Sequence, residues 1–310
     1  MLTEIPYLMS REAPVVSVLE DRILVPFKED YHMYYKVYNP ETLGESTPLI
    51  CVHGMAGNSA CFDYLGRAIN DFPVVSIDVV GRGKSSWLND HSHYNYNTYC
   101  VGVLHLAKHL NIKECNYLGT SMGGLIAMFL AAHFHNALKI KKLILNDIGP
   151  CIEEKPLKAL VELMTRLPTF SDKGQVKPYL KTVLRHFGVE KEEHWDHLAQ
   201  NRVMEKEGGG YALTLDPGIG IQLALEVQQA LDAQQVGGHW EIWDVWQRVQ
   251  CGEILVLRGE NSDLLTQDIL QRMLQSRQHI TCIEYPGIGH APTLMAESRI
   301  KAVEHFVRAN

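Results

Sequence analysis

The stretch Asn116-Tyr117-Leu118-Gly119-Thr120-Ser121-Met122-Gly123-Gly124 decides how the rest of the chain is read. A short apolar run, Asn116 to Leu118, stands directly before Gly-x-Ser-x-Gly, and helical periodicity begins at Met122. A serine on so tight a strand-to-helix turn needs neighbours without side chains, because a Cβ two residues away on either side would collide with the crossing backbone. Gly119 and Gly123 leave that space. The turn lifts the hydroxyl clear of the strand and presents it at a helix N-terminus, where the dipole and free amides favour developing negative charge. Ser121 is therefore the candidate nucleophile; the plainer reading is a glycine-rich turn with a capping serine.

Outward from this turn, short apolar runs recur at Leu49 to Val52, Val74 to Ile77, Leu143 to Leu145, Ile254 to Leu257 and Cys282 to Tyr285, each ending in a loop. Runs apolar on both faces are the pattern of buried parallel strands. Helical patterns separate them at Cys61 to Asn70, Tyr96 to Leu110, Met122 to Phe134, Leu265 to Leu274 and Ala296 to Val307. Alternation of this kind predicts an α/β fold, a mostly parallel sheet with helices on both faces. Arg22 to Pro26 and Met33 to Val37, separated by KEDYH, read as an antiparallel hairpin at the sheet edge. The alternation breaks between Pro150 and about Gly252, where helical periodicity continues without a buried strand. Residues 151–250 are thus expected to be an insertion into a core made of 1–150 and 251–310. Its helices are expected at Lys155 to Arg166, Ser171 to Phe187, Lys191 to Glu205, Ile219 to Ala233 and Trp240 to Gln250. Gly208 to Gly210 and Asp216-Pro-Gly218 mark turns between them.

A serine hydroxyl is a weak nucleophile at neutral pH and needs a base. Of fifteen histidines, His290 is the candidate, because Tyr285-Pro-Gly-Ile-Gly-His-Ala-Pro is a glycine-rich loop following the last expected strand. A carboxylate should hold that histidine in the right tautomer. Asp263, in Arg258-Gly-Glu-Asn-Ser-Asp after Ile254 to Leu257, lies at a C-terminal strand end, where open parallel sheets place their sites. Asp147, closing the strand in Leu145-Asn-Asp-Ile-Gly-Pro, and Glu260 compete for the role. Oxyanion donors are expected from the amides of Met122, directly after the serine, and of Met55, in His53-Gly-Met-Ala-Gly-Asn. His53 is read as orienting that loop, not as a base. Asp78-Val-Val-Gly-Arg-Gly-Lys-Ser lacks the spacing of a phosphate cradle and is read as a turn beside the pocket.

Composition removes several function classes. The formal charge of −7 without a lysine-arginine block argues against nucleic acid as a partner. No stretch approaches the length of apolar sequence that a membrane span needs. The start, MLTEIPYLMSREAP, carries Glu4 and Glu12 and no apolar run after a basic patch, so no leader is expected. Seven cysteines without CxxC spacing, several inside apolar runs, suit buried thiols in a reducing cytoplasm. The pairs His91/His93 and His133/His135 match no closed zinc pattern, and neither metal nor cofactor is expected. Lys155, Lys158, Arg166, Lys173 and Lys177 read as a solvated helix face, and Trp240, Trp243 and Trp246 as a packing stripe.

The motifs HGMAG, DVVGRGKS, GTSMGG, RGENSD and GIGHAP, in that order and over nearly the whole chain, resemble the α/β-hydrolase superfamily. The group it is most similar to holds esterases, lactonases, carbon-carbon bond hydrolases and cofactor-free haloperoxidases. The resemblance implies an eight-stranded sheet with a helical cap inserted after the sixth strand and lining the acyl pocket. Ser121 stands where the related epoxide hydrolases and dehalogenases carry aspartate. The expected activity is cleavage of a small-molecule carboxylic ester through an acyl-enzyme. Carbon-carbon bond or lactone hydrolysis on the same triad is the alternative, and a ligand-binding protein on this scaffold the non-enzyme one.

Overall fold

The computed structural model describes residues 16–232 and 239–309. The opening sequence read for a leader, and the end of the helix expected to reach Ala233, lie outside the described residues. Eight strands form the central sheet: β1 (Val18–Val25), β2 (Tyr31–Tyr38), β3 (Leu49–Val52), β4 (Val74–Ile77), β5 (Glu114–Thr120), β6 (Lys139–Asn146), β7 (Cys251–Gly259) and β8 (Ile280–Tyr285). Their order is β1-β2-β4-β3-β5-β6-β7-β8. The β1–β2 hairpin and the β2–β4 pairing are antiparallel, and every other pair is parallel. β3 and β4 are buried at every position, the burial that apolar runs on both faces require.

Helices α1 (Asp63–Ala68), α2 (Tyr96–His109) and α3 (Met122–His133) precede the insertion. α2 starts where expected because the Asn95 side chain accepts from the Thr98 amide. α3 is buried along nearly its whole length, which explains a helix apolar on all sides directly after the serine. α1 is shorter than expected. Asn58 caps a 3-10 turn over Ser59–Phe62, and the Asn39 side chain donates to the carbonyls of Ile69 and Phe72, pulling the chain out of the helix at Ile69.

Between β6 and β7 the chain leaves the sheet and forms α4 (Glu154–Thr165), α5 (Val176–Val183), α6 (Glu192–Asn201), α7 (Pro217–Asp232) and α8 (Trp243–Arg248), before α9 (Gln267–Ser276) and α10 (Glu297–Arg308) complete the core. The insertion is less uniformly helical than its periodicity suggested. Val203–Glu205, expected inside a helix, pairs with Tyr211–Leu213 across Gly208 to Gly210, and Thr169–Phe170 joins the same small sheet. Cys151–Glu153 pairs with His239–Glu241, so the last helix begins at Trp243 instead of Trp240. Asp172 caps a 3-10 turn at Lys173–Gln175, which shortens α5. The Asp216-Pro-Gly218 segment starts a helix, the Asp216 side chain accepting from the Gly218 amide. The cations Lys158, Arg166 and Lys177 of this segment sit in surface pairs with Glu154, Glu162 and Asp196. Of the three tryptophans, Trp246 is fully buried and donates to Ser276, and Trp243 lies under Arg272. All seven cysteines are free, and no described helix is long and apolar enough to cross a membrane.

Candidate active site

The site is built on loops at the C-terminal ends of β3, β5, β6 and β8. Ser121 lies directly between β5 and α3 with φ of 51°, a left-handed conformation that a residue with a side chain adopts only under constraint. The constraint is the crowding read from the sequence. A Cβ on Gly119 would stand 2.3 Å from backbone atoms of Gly123, and one on Gly123 2.1 Å from the Val52 carbonyl oxygen. With both positions bare, α3 packs directly over β3 and β5 and the hydroxyl is thrust forward.

His290 meets that hydroxyl from the loop after β8. Its Nε2 is 2.9 Å from Ser121 Oγ and its Nδ1 2.8 Å from Oδ2 of Asp147. The carboxylate accepts from Nδ1, which leaves Nε2 as the acceptor for the serine hydroxyl. Asp147 is fully buried, and it also accepts from the Gly259 amide at 2.8 Å and from the Ser262 hydroxyl at 2.6 Å.

The carboxylate beside the histidine is thus Asp147, and the expectation for Asp263 is corrected. Asp147 is the first residue past β6, the strand adjacent to β5 and its serine, and a φ of 61° turns its side chain inward. Asp263 lies past the end of β7, one strand farther from the serine. The turn there points Ser262 inward and leaves Asp263 exposed. Glu260, the other competitor, is exposed and accepts from the Gly287 amide, which ties down the histidine loop.

Met55 and Met122, expected to supply oxyanion donors, both line the smaller cavity at Ser121. Met55 also lines the larger cavity, and among the described residues neither amide has a hydrogen-bond acceptor. A Cβ on Gly54 would stand 3.3 Å from Ser121 Cβ, so the His53–Gly57 turn runs against Ser121. His53 holds that turn: Nδ1 donates to the Gly54 carbonyl at 2.7 Å and Nε2 accepts from the Val79 amide at 3.0 Å. Burial lowers its pKa to about 3, which keeps the ring neutral, and these two hydrogen bonds fix the tautomer.

Arg82 is the residue that the sequence did not single out. It is fully buried, donates to the carbonyls of Met55 and Val80 and to the sulfurs of Met55 and Met122, and lies 4.9 Å over the Tyr99 ring. Among the described residues no carboxylate pairs with it, so carbonyls and an aromatic face carry its charge beneath the two free amides. Its signal in the sequence was a lone arginine inside a turn whose neighbours Val79 and Val80 are apolar.

Two cavities meet at Ser121. One, of about 80 Å³, is walled by Met122, Tyr96, Ile152, Leu160 and Trp240, with the half-buried Glu226, whose pKa burial raises, at its edge. Trp240 therefore faces the site and also stacks on Tyr96, unlike the two tryptophans after it. The other, of about 460 Å³, contains His290, Phe187, Leu163, Arg202 and Asp263 and falls in the usual range for small-molecule sites.

Comparison with known proteins agrees with this architecture. The profile of the α/β hydrolase fold matches residues 47–294. A 3-hydroxybutyrate-oligomer hydrolase from Cupriavidus necator is 32% identical over 283 residues, covering 89% of this chain and 91% of the relative. A solved structure from Rickettsia typhi described as a hydrolase superposes with a TM-score of 0.80 at 29% identity, over 94% of this chain and 98% of that one. An α/β hydrolase from Novosphingobium aromaticivorans gives 0.77 at 23% identity over 93% and 98%, a likeness of fold. With most of its length matched by that profile, and a relative of this similarity along nearly all of it, the chain belongs to the α/β-hydrolase fold family.

Proposed function

We propose that this hydrolase cleaves carboxylic esters through an acyl-enzyme on Ser121, with His290 as base and Asp147 as the orienting acid. The observation that carries the reading is the position of the His290 ring, within hydrogen-bond reach of Ser121 Oγ on one side and of Asp147 on the other. His290 Nε2 takes the hydroxyl proton as Oγ attacks the ester carbonyl. The resulting oxyanion is held by the amides of Met55 and Met122, each worth roughly 3 to 4 kcal/mol in the transition state. Collapse breaks the bond to the alcohol oxygen, which leaves with the proton from His290. Water then gives a proton to His290 as it attacks the acyl carbonyl, and collapse returns that proton to Ser121 Oγ and releases the acid. Residues 151–250 act as the cap, since Ile152, Leu157, Leu160, Ile219 and Trp240 from this segment wall the smaller cavity.

The relative named as a 3-hydroxybutyrate-oligomer hydrolase supports esters of short hydroxyacids as the substrate class. A fluorophosphonate is expected to label Ser121 and no other serine, and Ser121→Ala to stay folded while losing turnover of p-nitrophenyl butyrate by about a million-fold. Label on a different serine, or retained turnover in the variant, would sink the assignment.

A further inference from the structure

We propose that Arg202 is an anion subsite for the free carboxylate of a hydroxyacid leaving group, so that the preferred ester is an acylated hydroxyacid with its own carboxylate uncapped. This rests on Ser121 being the nucleophile. The chemistry assigns the two halves of the ester to the two cavities. The departing alkoxide must take its proton from His290, and His290 lines only the larger cavity. The acyl chain then enters the smaller one, against Met122, Tyr96 and Trp240, and the alcohol portion lies in the larger.

Three formally charged side chains other than histidine line that larger cavity: Arg185, Arg202 and Asp263. Arg185 and Asp263 are exposed. Arg202 is half-buried, at the end of α6, with its guanidinium reaching Cys61 on the core side. Its Nη2 has only that thiol sulfur, 3.3 Å away, as acceptor, and its Nε is buried with no hydrogen-bond partner. No carboxylate among the described residues pairs with it, whereas Lys177 and Arg299 are each matched to an acid. A partly desolvated guanidinium held by one weak acceptor is costly unless an anion completes it. A carboxylate meeting the Nη edge in the planar, two-point geometry that arginine favours would do so. Through Cys61 the guanidinium adjoins the turn that ends at Gly57, since a Cβ on Gly57 would stand 3.3 Å from the Cys61 sulfur. Arg202, Ser121 and His290 line the same cavity, so a carboxylate on the guanidinium and a scissile ester at Ser121 share one enclosure.

The test compares kcat/KM for O-butyryl-3-hydroxybutyrate and its neutral counterpart O-butyryl-3-hydroxybutyramide. The wild type should prefer the acid by about tenfold or more, Arg202→Gln should bring the ratio toward one, and Arg202→Lys should fall between, as expected on losing a charge-assisted pair and on replacing the fork by a point charge. Competition of free 3-hydroxybutyrate and of 3-hydroxybutyramide against p-nitrophenyl butyrate in the wild type reads the same preference without any variant. A wild type indifferent to the carboxylate, or an Arg202→Gln enzyme that keeps the full preference, overturns the subsite while leaving the nucleophile in place. Retained p-nitrophenyl butyrate turnover in Ser121→Ala overturns the nucleophile, and the subsite with it.

Discussion

The loops after β6 and β7 each carry an aspartate at the C-terminal edge of the sheet, and the structure treats them oppositely. Asp147 is fully buried, takes hydrogen bonds from Gly259, Ser262 and His290, and occupies a left-handed backbone position. Asp263 is exposed and has none of these. The difference comes from the sheet. β6 lies beside β5, whose end carries Ser121, whereas β7 sits one strand farther out and serves the site by anchoring Asp147, through Gly259 and Ser262. Adjacency in the chain to the histidine loop is a poor guide to adjacency in space, because parallel strands are ordered by crossover connections.

The contrast can be broken most sharply by exchanging the two acids for amides. Asp147→Asn is expected to lower kcat on p-nitrophenyl butyrate by up to about ten-thousand-fold, the scale on which a triad histidine loses its tautomer. Asp263→Asn should stay within a few-fold of wild type. The double change Asp147→Asn with His290→Ala should be little worse than His290→Ala alone, since the members act as a unit. A large loss in Asp263→Asn with a near-normal Asp147→Asn would reverse the comparison.

The same opposition separates the two strand-end histidines, and pH exposes it. His53 is neutral when folded down to about pH 3, while its unfolded counterpart takes a proton below about 6.5. The unfolded chain binds more protons in that window, so His53 stabilises fully above pH 6.5 and its contribution is lost as pH falls toward 3. At pH 5 the loss is about 2 kcal/mol. Urea unfolding at pH 7.5 and pH 5 should show this drop in the wild type and a smaller one in His53→Gln. Parallel pH dependence in both would remove His53 from the account.

The smallest effect tests how far β7 supports the acid. Ser262→Ala removes one donor from Asp147 and leaves the Leu265 amide without its acceptor. We expect about 1 to 2 kcal/mol of lost stability and a loss of activity below about tenfold, read by thermal melts and kcat together. A loss as deep as that of Asp147→Asn would mean that the β7 loop is a full partner in the site.

Local stereochemistry made much of this protein legible in its sequence. Glycines at 119 and 123 leave one way to place a serine between a buried strand and a buried helix, and apolar runs of strand length separated by helical periodicity leave a parallel sheet. The β1–β2 hairpin and the strands β3 to β7 followed from the same rules, whereas β8, read as apolar on both faces, is a half-exposed edge strand. Inside that segment, periodicity alone misread Val203–Glu205 and His239–Glu241, because short strands take their identity from a partner in space. The three-residue glycine run at 208–210 marked the first of these turns without showing that it joined two strands.

What the sequence by itself determined was the arrangement of candidates: a serine on a strand-to-helix turn, a histidine on a glycine-rich loop after the last strand, and acids at strand ends. Only the tertiary structure decided which acid, since the choice depends on strand order across the sheet and on which side chains of a loop turn inward. It likewise decided that Arg82 lies buried against Met55 and Met122 and that Arg202 stands in the larger cavity with no carboxylate paired to it among the described residues. A lone cation in a sequence carries no information about its partners, because those come from residues far apart in the chain and are brought within hydrogen-bonding distance by packing alone.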